Sequence, residues 1–264
     1  MPELPLILII NDDGIFAPGI KFLSGVASKF GRIVVVAPDK PQSGMGHAIT
    51  INSTLRLQPT NYHGAEIEYA CTGTPVDCVK MAINQILKKT PDLILSGVNH
   101  GSNSSINVIY SGTMSAAIEG ALEGVPSIGF SLCDYAMEAD FTQADKFVAS
   151  IIENALKHKM PKGVCLNVNI PKLKAEDFKG IKVVRQAKAN WVERFDERKD
   201  PYGKHYYWLT GEFVNFEPEA LDTDEWALAN GYISVVPTQA DLTAHNALTK
   251  LNYFENHELD RTSR

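Results

Sequence analysis

Short apolar runs alternate with amphipathic stretches over the first two thirds of the chain, a pattern typical of parallel sheets flanked by helices. Apolar runs that predict buried strands occupy residues 5–10, 33–37, 92–96, 127–132 and 164–169. Amphipathic stretches that predict helices occupy residues 19–30, 75–88, 113–123 and 143–157. This alternation predicts an α/β fold with a mostly parallel, doubly wound sheet, in which ligands bind beyond the carboxyl ends of the strands.

Two segments depart from this pattern in the first half of the chain. Residues 48–57 and 66–71 alternate apolar and polar side chains, which predicts antiparallel strands inserted beside the main sheet. The helix that follows has a clear start, because Thr74 suits the cap position and Pro75 suits the first helical position.

The last third of the chain has a different character. Residues 186–226 are charged and rich in large aromatic side chains, and turn signals in their middle predict an extended hairpin or arm. These aromatic residues are Trp191, Tyr202, Tyr206, Tyr207, Trp208 and Trp226. Since such an arm cannot form a globule of its own, we expect it to dock on the main domain or on another subunit. Docking on another subunit gives a homo-oligomer, which we expect. Residues 232–237 predict one more strand.

Length and composition agree with a folded protein. The 264 residues allow one large domain or one domain with an appendage. We therefore assign residues 1–180 to the main domain and residues 181–264 to a smaller C-terminal part that carries the arm. Apolar residues at 44% and charged residues at 21% are close to globular averages, which excludes disordered and fibrous chains.

The net charge, the cysteines and the N-terminal apolar segment indicate which binding partners and which cellular location to expect. The net charge is −6 and no block of Lys and Arg is long enough to bind a phosphate backbone, so a nucleic-acid polymer is not expected. Four cysteines without a metal-like spacing predict reduced thiols. The apolar segment at 4–10 is too short for a membrane helix and has no basic flank. We expect a cytoplasmic protein with no membrane partner.

Polar clusters follow three of the predicted strands. Asp12 and Asp13 come directly after the first strand, and two adjacent carboxylates repel each other unless a cation lies beside them. A divalent metal is the usual remedy, although one Asp could instead cap the next helix while the other is solvated. After the second strand, the loop 37–46 offers Ser43, but loops of this composition are also commonplace turns.

The third cluster, at residues 96–113, contains Asn99 and many hydroxyl and amide side chains before Ser111, Gly112 and Thr113. A Gly-containing loop that runs into a helix start favours anions, because unpaired N–H groups and the helix dipole both attract phosphate. The alternative is a simple helix cap at Ser111 or Thr113.

The candidate ligand set is made of oxygen atoms only, from Asp12, Asp13, Ser43 and Asn99. Hard cations such as Mg²⁺ or Mn²⁺ fit such a set. A cation beside an anion-binding helix start indicates hydrolysis of a phosphate ester by a metal-activated water. A histidine could donate a proton to the leaving group, and the candidates are His47, His100 and His245.

Common nucleotide and phosphate motifs do not account for these clusters. Residues 14–21 nearly match a P-loop but have Ile20 where Lys is required. Residues 44–46 begin a dinucleotide fingerprint and lack its third glycine. A receiver domain would need a phosphoacceptor Asp where this chain has Gly97, and 264 residues is too long for a lone receiver.

Several segments in the same order resemble the SurE family, the stationary-phase survival protein E nucleotidases. The matching segments are Asn11 to Gly14 (NDDG) with 18–19, 37–39 with 43–44, Gly73 to Val79 (GTPVDCV), Ser96 to Asn103 (SGVNHGSN), Tyr110 to Thr113 (YSGT), and 231–237 with 241–244. The resemblance therefore runs nearly end to end.

The resemblance implies a Rossmann-like domain that hydrolyses nucleoside 5′- and 3′-monophosphates to nucleoside and phosphate. It implies one divalent cation per subunit and dimers or tetramers formed by exchanged C-terminal elements. The implied metal ligands are Asp12, Asp13, Ser43 and Asn99, with Asp12, Asp13 and Asn99 as the catalytic residues. The implied phosphate-binding residues are Asn103, Ser111, Gly112 and Thr113. The chain departs from the family where a glycine and acidic residues are frequent, with Ser105, Ile106 and Asn107 in their place.

A function of another class uses the same residues. A sensor could bind a nucleotide or phosphate in this cleft and signal through assembly of the arm, without catalysis. Formation of product separates the two hypotheses, since a sensor binds without releasing phosphate.

Overall fold

One nine-stranded sheet forms the centre of the protein. The structure, a computed structural model, describes residues 3–136 and 138–255. The strands of the sheet are β1 (Leu6–Ile10), β2 (Arg32–Pro38), β3 (Leu57–Pro59), β4 (Ile67–Cys71), β5 (Leu93–His100), β6 (Ser127–Leu132), β7 (Val164–Ile170), β8 (Ile181–Val183) and β11 (Ile233–Gln239). A separate hairpin consists of β9 (Ala189–Lys199) and β10 (His205–Asn215). The α-helices are α1 (Pro18–Ala27), α2 (Pro75–Met81), α3 (Gly112–Leu122), α4 (Asp145–Lys157) and α5 (Asp224–Ala229).

The spatial order of the sheet is β3-β4-β2-β1-β5-β6-β7-β11-β8. Every pair from β4 to β7 is parallel, whereas β3 and β11 run antiparallel to β4 and β7. The expected mostly parallel fold is therefore confirmed. Because β2 lies on one side of β1 and β5 on the other, the chain order reverses beside β1, which opens a crevice at the carboxyl end of this strand.

Helices cover both faces of the sheet. Ile7 and Ile9 of β1 pack with residues of α1 and α4 on one face, whereas Leu8 and Ile10 pack with residues of α2 on the other. Successive strand side chains point to opposite faces, so a continuous apolar run fills both cores. This doubly wound arrangement is the one that the apolar runs predict.

The inserted segment differs from its prediction. Only Leu57 of residues 48–57 lies in a strand, and β4 adds to the sheet parallel to β2. The reason is a set of competing hydrogen bonds: Thr50 donates its hydroxyl to Asp77 Oδ2 at 2.6 Å, and Thr74 donates to the carbonyl of Ala48 at 2.7 Å. These bonds attach the segment to the start of α2 instead of a neighbouring strand. The expected cap is confirmed, because Thr74 and Asp77 form a capping box.

The C-terminal part contains the expected hairpin and a continuation of the main sheet. Strands β9 and β10 pair antiparallel over their full length. Trp226 lies outside this hairpin, in α5, where its ring stacks on Tyr232 with centroids 6.2 Å apart. Strands β8 and β11, beyond the expected boundary at residue 180, extend the sheet of the first part. The division at residue 180 stays a prediction.

Two further observations concern residues 3–136 and 138–255. No helix in these ranges has the length and apolar character needed to cross a membrane. The four cysteines are free thiols, and Cys71, Cys78 and Cys165 are buried.

Helix α1 offers a matched test of the packing between its first turn and β5. A Cβ atom at Gly19 would come within 1.9 Å of the carbonyl oxygen of Val98, whereas a Cβ atom at Gly25 meets nothing within 4 Å. We expect Gly19→Ala to lower the free energy of unfolding by about 2 kcal/mol or more, because the backbone of β5 must move. Gly25→Ala is the control and should raise it by about 0.5–1 kcal/mol. Urea denaturation of both variants measures the difference, and equal effects would contradict this packing.

Candidate active site

The polar clusters after β1 and β5 lie next to each other. Strands β1 and β5 are neighbours, with Ile10 opposite Ser96, so the residues beyond them share one edge of the sheet. The backbone N–H of His100 donates to Asp13 Oδ2 at 3.3 Å and ties the two strand ends together. The structure thus brings the Asp pair and the end of β5 to the crevice beside β1.

The start of α3 packs directly against Asp12. Thr113 donates its hydroxyl to Asp12 Oδ1 at 2.5 Å, and both residues are buried. A Cβ atom at Gly112 would come within 2.7 Å of Asp12 Cβ, so a residue without a side chain is required for this approach. Ser111 caps the helix by accepting from the N–H of Met114 at 3.0 Å. The carboxylate and the helix start therefore form one unit.

Burial and charge act together on Asp12. Its side chain is removed from water and lies beside the Asp13 carboxylate, and both effects raise the pKa of Asp12 from 3.8 to about 6. The hydrogen bonds from Thr113 lower the pKa and offset only part of this increase. A carboxylate in this position gains from a nearby cation, which would remove the charge repulsion.

Two other candidate ligands lie at the same edge. Asn99 donates both hydrogens of its amide to the carbonyls of His100 and Gly101, at 3.1 and 2.9 Å. This fixes the amide, and its Oδ1 accepts no hydrogen bond from the residues that the structure describes. Ser43 is exposed on the loop after β2, next to Gln42, whose N–H donates to the carbonyl of Asp12 at 2.8 Å.

Asn103 is part of a buried polar network instead of a free surface. Its amide donates to Ser131 Oγ at 2.8 Å, and its backbone N–H donates to Asn169 Oδ1 at 2.8 Å. Asn167 donates to the carbonyl of Asn103 at the same distance. These bonds from β6 and β7 fix the loop between β5 and α3. A contact of Asn103 with phosphate stays a prediction.

A second support for this loop comes from residues that the sequence analysis did not identify. Buried Asp224, at the start of α5, accepts from the N–H of Ser105 at 2.8 Å and from the N–H of Ala187 at 2.9 Å. Burial raises the pKa of Asp224. Ser104 donates to Glu225 at 2.5 Å. The only local signal in the sequence is an acidic pair in the first turn of a helix, which is also typical of ordinary capping.

Ser105 shows how this chain accommodates its departure from the SurE pattern. Its φ of 51° lies in the left-handed region, where glycine is favoured. The Ser105 hydroxyl, however, lies 2.9 Å from the carbonyl of Ala187 and 3.2 Å from that of Ala189. Trp191 of the hairpin donates to Asn107 Oδ1 at 2.8 Å. Ser105 and Asn107 thus connect the loop to the base of the hairpin.

The three candidate histidines occupy different places. His100 lines a cavity with Asp13, and its Nδ1 lies 3.5 Å from Asp13 Oδ2. His47 Nε2 lies 2.9 Å from the buried Glu119 on α3. His245 Nε2 lies 2.6 Å from Asp241 in an exposed position.

The residues at this edge fit a hard divalent cation. Asp12 and Asp13 supply carboxylates that repel each other, and Asn99 adds an amide oxygen, which are ligands that Mg²⁺ and Mn²⁺ accept. Within residues 3–136 and 138–255, no three His, Cys, Asp or Glu side chains cluster as a metal site. Two carboxylates with neutral oxygens do not need such a cluster, since Mg²⁺ is commonly held by one or two carboxylates.

The unfavourable burial of the Asp12 charge predicts how the free energy of unfolding depends on pH. The pKa of this group is raised in the folded state, so the unfolded chain releases this proton first, and the contribution of Asp12 to stability falls as pH rises through about 4 to 6. We expect Asp12→Asn to raise the free energy of unfolding by about 1–3 kcal/mol at pH 8 in chelator. The gain should shrink as pH falls from 6 to 4. Urea denaturation at several pH values measures it, and a variant less stable than the wild type at pH 8 would contradict the expectation.

The chain is similar in sequence to known proteins over most of its length. The family model described as Survival protein SurE matches residues 7–193. The 5′-nucleotidase SurE of Flavobacterium psychrophilum is 62% identical over 252 residues, covering 95% of this chain and 98% of its own. The 5′-nucleotidase SurE of Flavobacterium johnsoniae is 62% identical over 251 residues, covering 95% of this chain and 96% of its own.

A solved structure agrees with the fold as well. The crystal structure of the SurE protein from Aquifex aeolicus superposes with a TM-score of 0.83 at 42% identity, covering 96% of this chain and all of that one. The resemblance noted in the motifs is therefore confirmed over nearly the whole length. This chain belongs to the SurE family.

Proposed function

We propose that this chain, an enzyme of the 5′-nucleotidase SurE type, hydrolyses nucleoside 5′- and 3′-monophosphates to nucleoside and phosphate. The observation that carries the proposal is the packing of the Asp12 and Asp13 pair against the start of α3, in the crevice beside β1. Relatives that are 59–62% identical are named 5′-nucleotidase SurE, which supports the same activity here.

The cation site is part of this proposal. Asp12, Asp13, Ser43 and Asn99 would hold one Mg²⁺ or Mn²⁺ per subunit. When bound, such a cation neutralises charge on the phosphate and acidifies a water molecule that can attack phosphorus. Ser43 lies on a loop that Gln42 attaches to the Asp12 carbonyl, which supports its assignment as the fourth ligand.

The protein itself orients the Asp12 carboxylate and supplies a donor that stabilises negative charge on the phosphate. Thr113 holds Asp12 Oδ1, which fixes the carboxylate in one orientation. Ser111 satisfies the N–H of Met114, whereas the N–H of Thr113 is directed at the Asp12 carboxylate. The N–H of Gly112, one of the first four of the helix and without an intrahelical partner, would bind a phosphate oxygen. Since this donor belongs to a helix packed against Asp12, it needs no rearrangement as negative charge develops.

Replacing Asp13 by Asn tests the site. We expect at least a 100-fold lower rate of phosphate release from nucleoside monophosphates with Mg²⁺ or Mn²⁺, because one carboxylate of the cation site is lost. The exposed Asp177, replaced by Asn, is the matched control and should keep the wild-type rate. Chelator should abolish release by the wild type. Full activity of Asp13→Asn would refute the assignment, and tight nucleotide binding by the wild type without product would favour the sensor.

We also propose that the hairpin forms a homo-oligomer, a dimer or a tetramer. Phe195 and Leu209 lie opposite each other on β9 and β10, and they are 66% and 62% exposed. Tyr207 is 57% exposed on the same face of the hairpin, and Trp208 is 58% exposed on the opposite face. A row of large apolar side chains in water is typical of an interaction surface. We further propose a cytoplasmic location for the protein, which cell fractionation would test.

Light scattering after size-exclusion chromatography tests the assembly. We expect the wild type at micromolar concentration to have the mass of a dimer or tetramer. The double substitution of Phe195 and Leu209 by Asp should shift it to a monomer, because burying the carboxylates is unfavourable. Leu221→Asp, an exposed leucine outside the hairpin, is the control that should keep the assembled mass. A monomeric wild type would contradict the proposal.

A further inference from the structure

A cavity opens directly beside the candidate catalytic residues. Its volume is about 470 Å³, and Asp13 and His100 form part of its wall. This volume lies in the range of about 300–1,000 Å³ that small-molecule sites occupy. The loops after β1, β2 and β6 contribute to it, together with the last residue of β5. A phosphate bound to a cation at Asp12 and Asp13 would place the rest of its ester at or near this cavity.

Phe16, on the loop after β1, is one aromatic wall of the cavity. Its side chain is 62% exposed although it is large and apolar. Tyr62 supports it in an edge-to-face contact with centroids 5.4 Å apart, and Lys21 Nζ lies 4.8 Å from the centre of the Tyr62 ring. The Phe16 ring is therefore held in place from one side while much of its surface stays open.

Tyr135, on the loop after β6, is the second aromatic wall and is 72% exposed. Its ring lies against Gly101, where a Cβ atom would come within 2.3 Å of a ring carbon. Gly101 has a φ of 95°, so the backbone also favours glycine at this position. The ring thus rests on bare backbone and keeps its exposed surface for another partner.

We propose that Phe16 and Tyr135 bind the nucleobase of the substrate by stacking. Neither ring contributes much to a core, yet each is supported and lines the cavity that contains Asp13. Nucleobases stack on aromatic side chains whatever their identity, because every base has a π-face. A phosphomonoester without an aromatic group would gain nothing from two such walls. The inference rests on the proposed function, since it concerns the nucleoside half of the same substrate.

Two substrates, one with a base and one without, distinguish the loss of base stacking from a general loss of activity. AMP and ribose 5-phosphate share the ribose and the 5′-phosphate. We expect Phe16→Ala and Tyr135→Ala each to lower kcat/KM for AMP by about 5- to 100-fold, mainly through KM, because a stacking contact is lost. The same variants should change kcat/KM for ribose 5-phosphate less than twofold. Phe16→Trp should restore the value for AMP, because it keeps an aromatic ring.

Tyr253→Ala removes an equally exposed ring away from the cavity and is the matched control for both substrates. Equal losses on AMP and ribose 5-phosphate, or no loss on either, would overturn the stacking role. Calorimetric titration with adenosine supplies a second readout that needs no chemistry. We expect Phe16→Ala to weaken adenosine binding by the same factor as it raises KM for AMP.

The two proposals fail in distinguishable ways. If the wild type releases no phosphate from either substrate, the proposed function is wrong, and adenosine binding then decides the inference alone. Adenosine binding that is lost in Phe16→Ala would support the base site without catalysis. Adenosine binding that is unchanged in both variants, or absent from the wild type, would overturn it.

Discussion

The contact between the buried carboxylate of Asp12 and the start of α3 is the constraint on which the rest of the site depends. Burial of a carboxylate beside a second one is unfavourable, and both effects raise the pKa of Asp12. The Thr113 hydroxyl and the close approach of Gly112 hold the group in place despite the repulsion. A structure that keeps such a charge has a local excess of negative potential, which attracts a cation, and a cation held there can in turn bind a phosphate.

The loop between β5 and α3 is held from two sides by polar residues. Asn167 and Asn169 on β7 bond the backbone of Asn103, and Asp224 on α5 bonds the backbone of Ser105. Buried polar networks of this kind specify one geometry, because any other arrangement leaves donors or acceptors unsatisfied. The base of the hairpin takes part through Ala187 and Trp191, so the hairpin and the loop between β5 and α3 are physically connected.

Much of the fold is readable from the chain because the apolar pattern of a parallel sheet is local. The runs that become β1 and β2 are buried on both faces and therefore continuous in apolar residues. The segment at 48–57 misleads, since its alternation suits a strand while Thr50 and Ala48 bond the start of α2. Alternation indicates which side chains can share a face, and it does not indicate which backbone groups find another partner.

By itself, the sequence determined the buried strands of the central sheet, helices α1 to α4, the hairpin and the placement of Asp12, Asp13 and Asn99 at strand ends, because each depends on neighbours along the chain. The motifs in order also determined the family. Only the tertiary structure decided that Asp224 supports the loop at Ser105, that Phe16 is held by Tyr62 and that Tyr135 rests on Gly101. These contacts join residues that are distant in sequence, and no local periodicity or spacing encodes which side chains meet when the loops around the crevice close together.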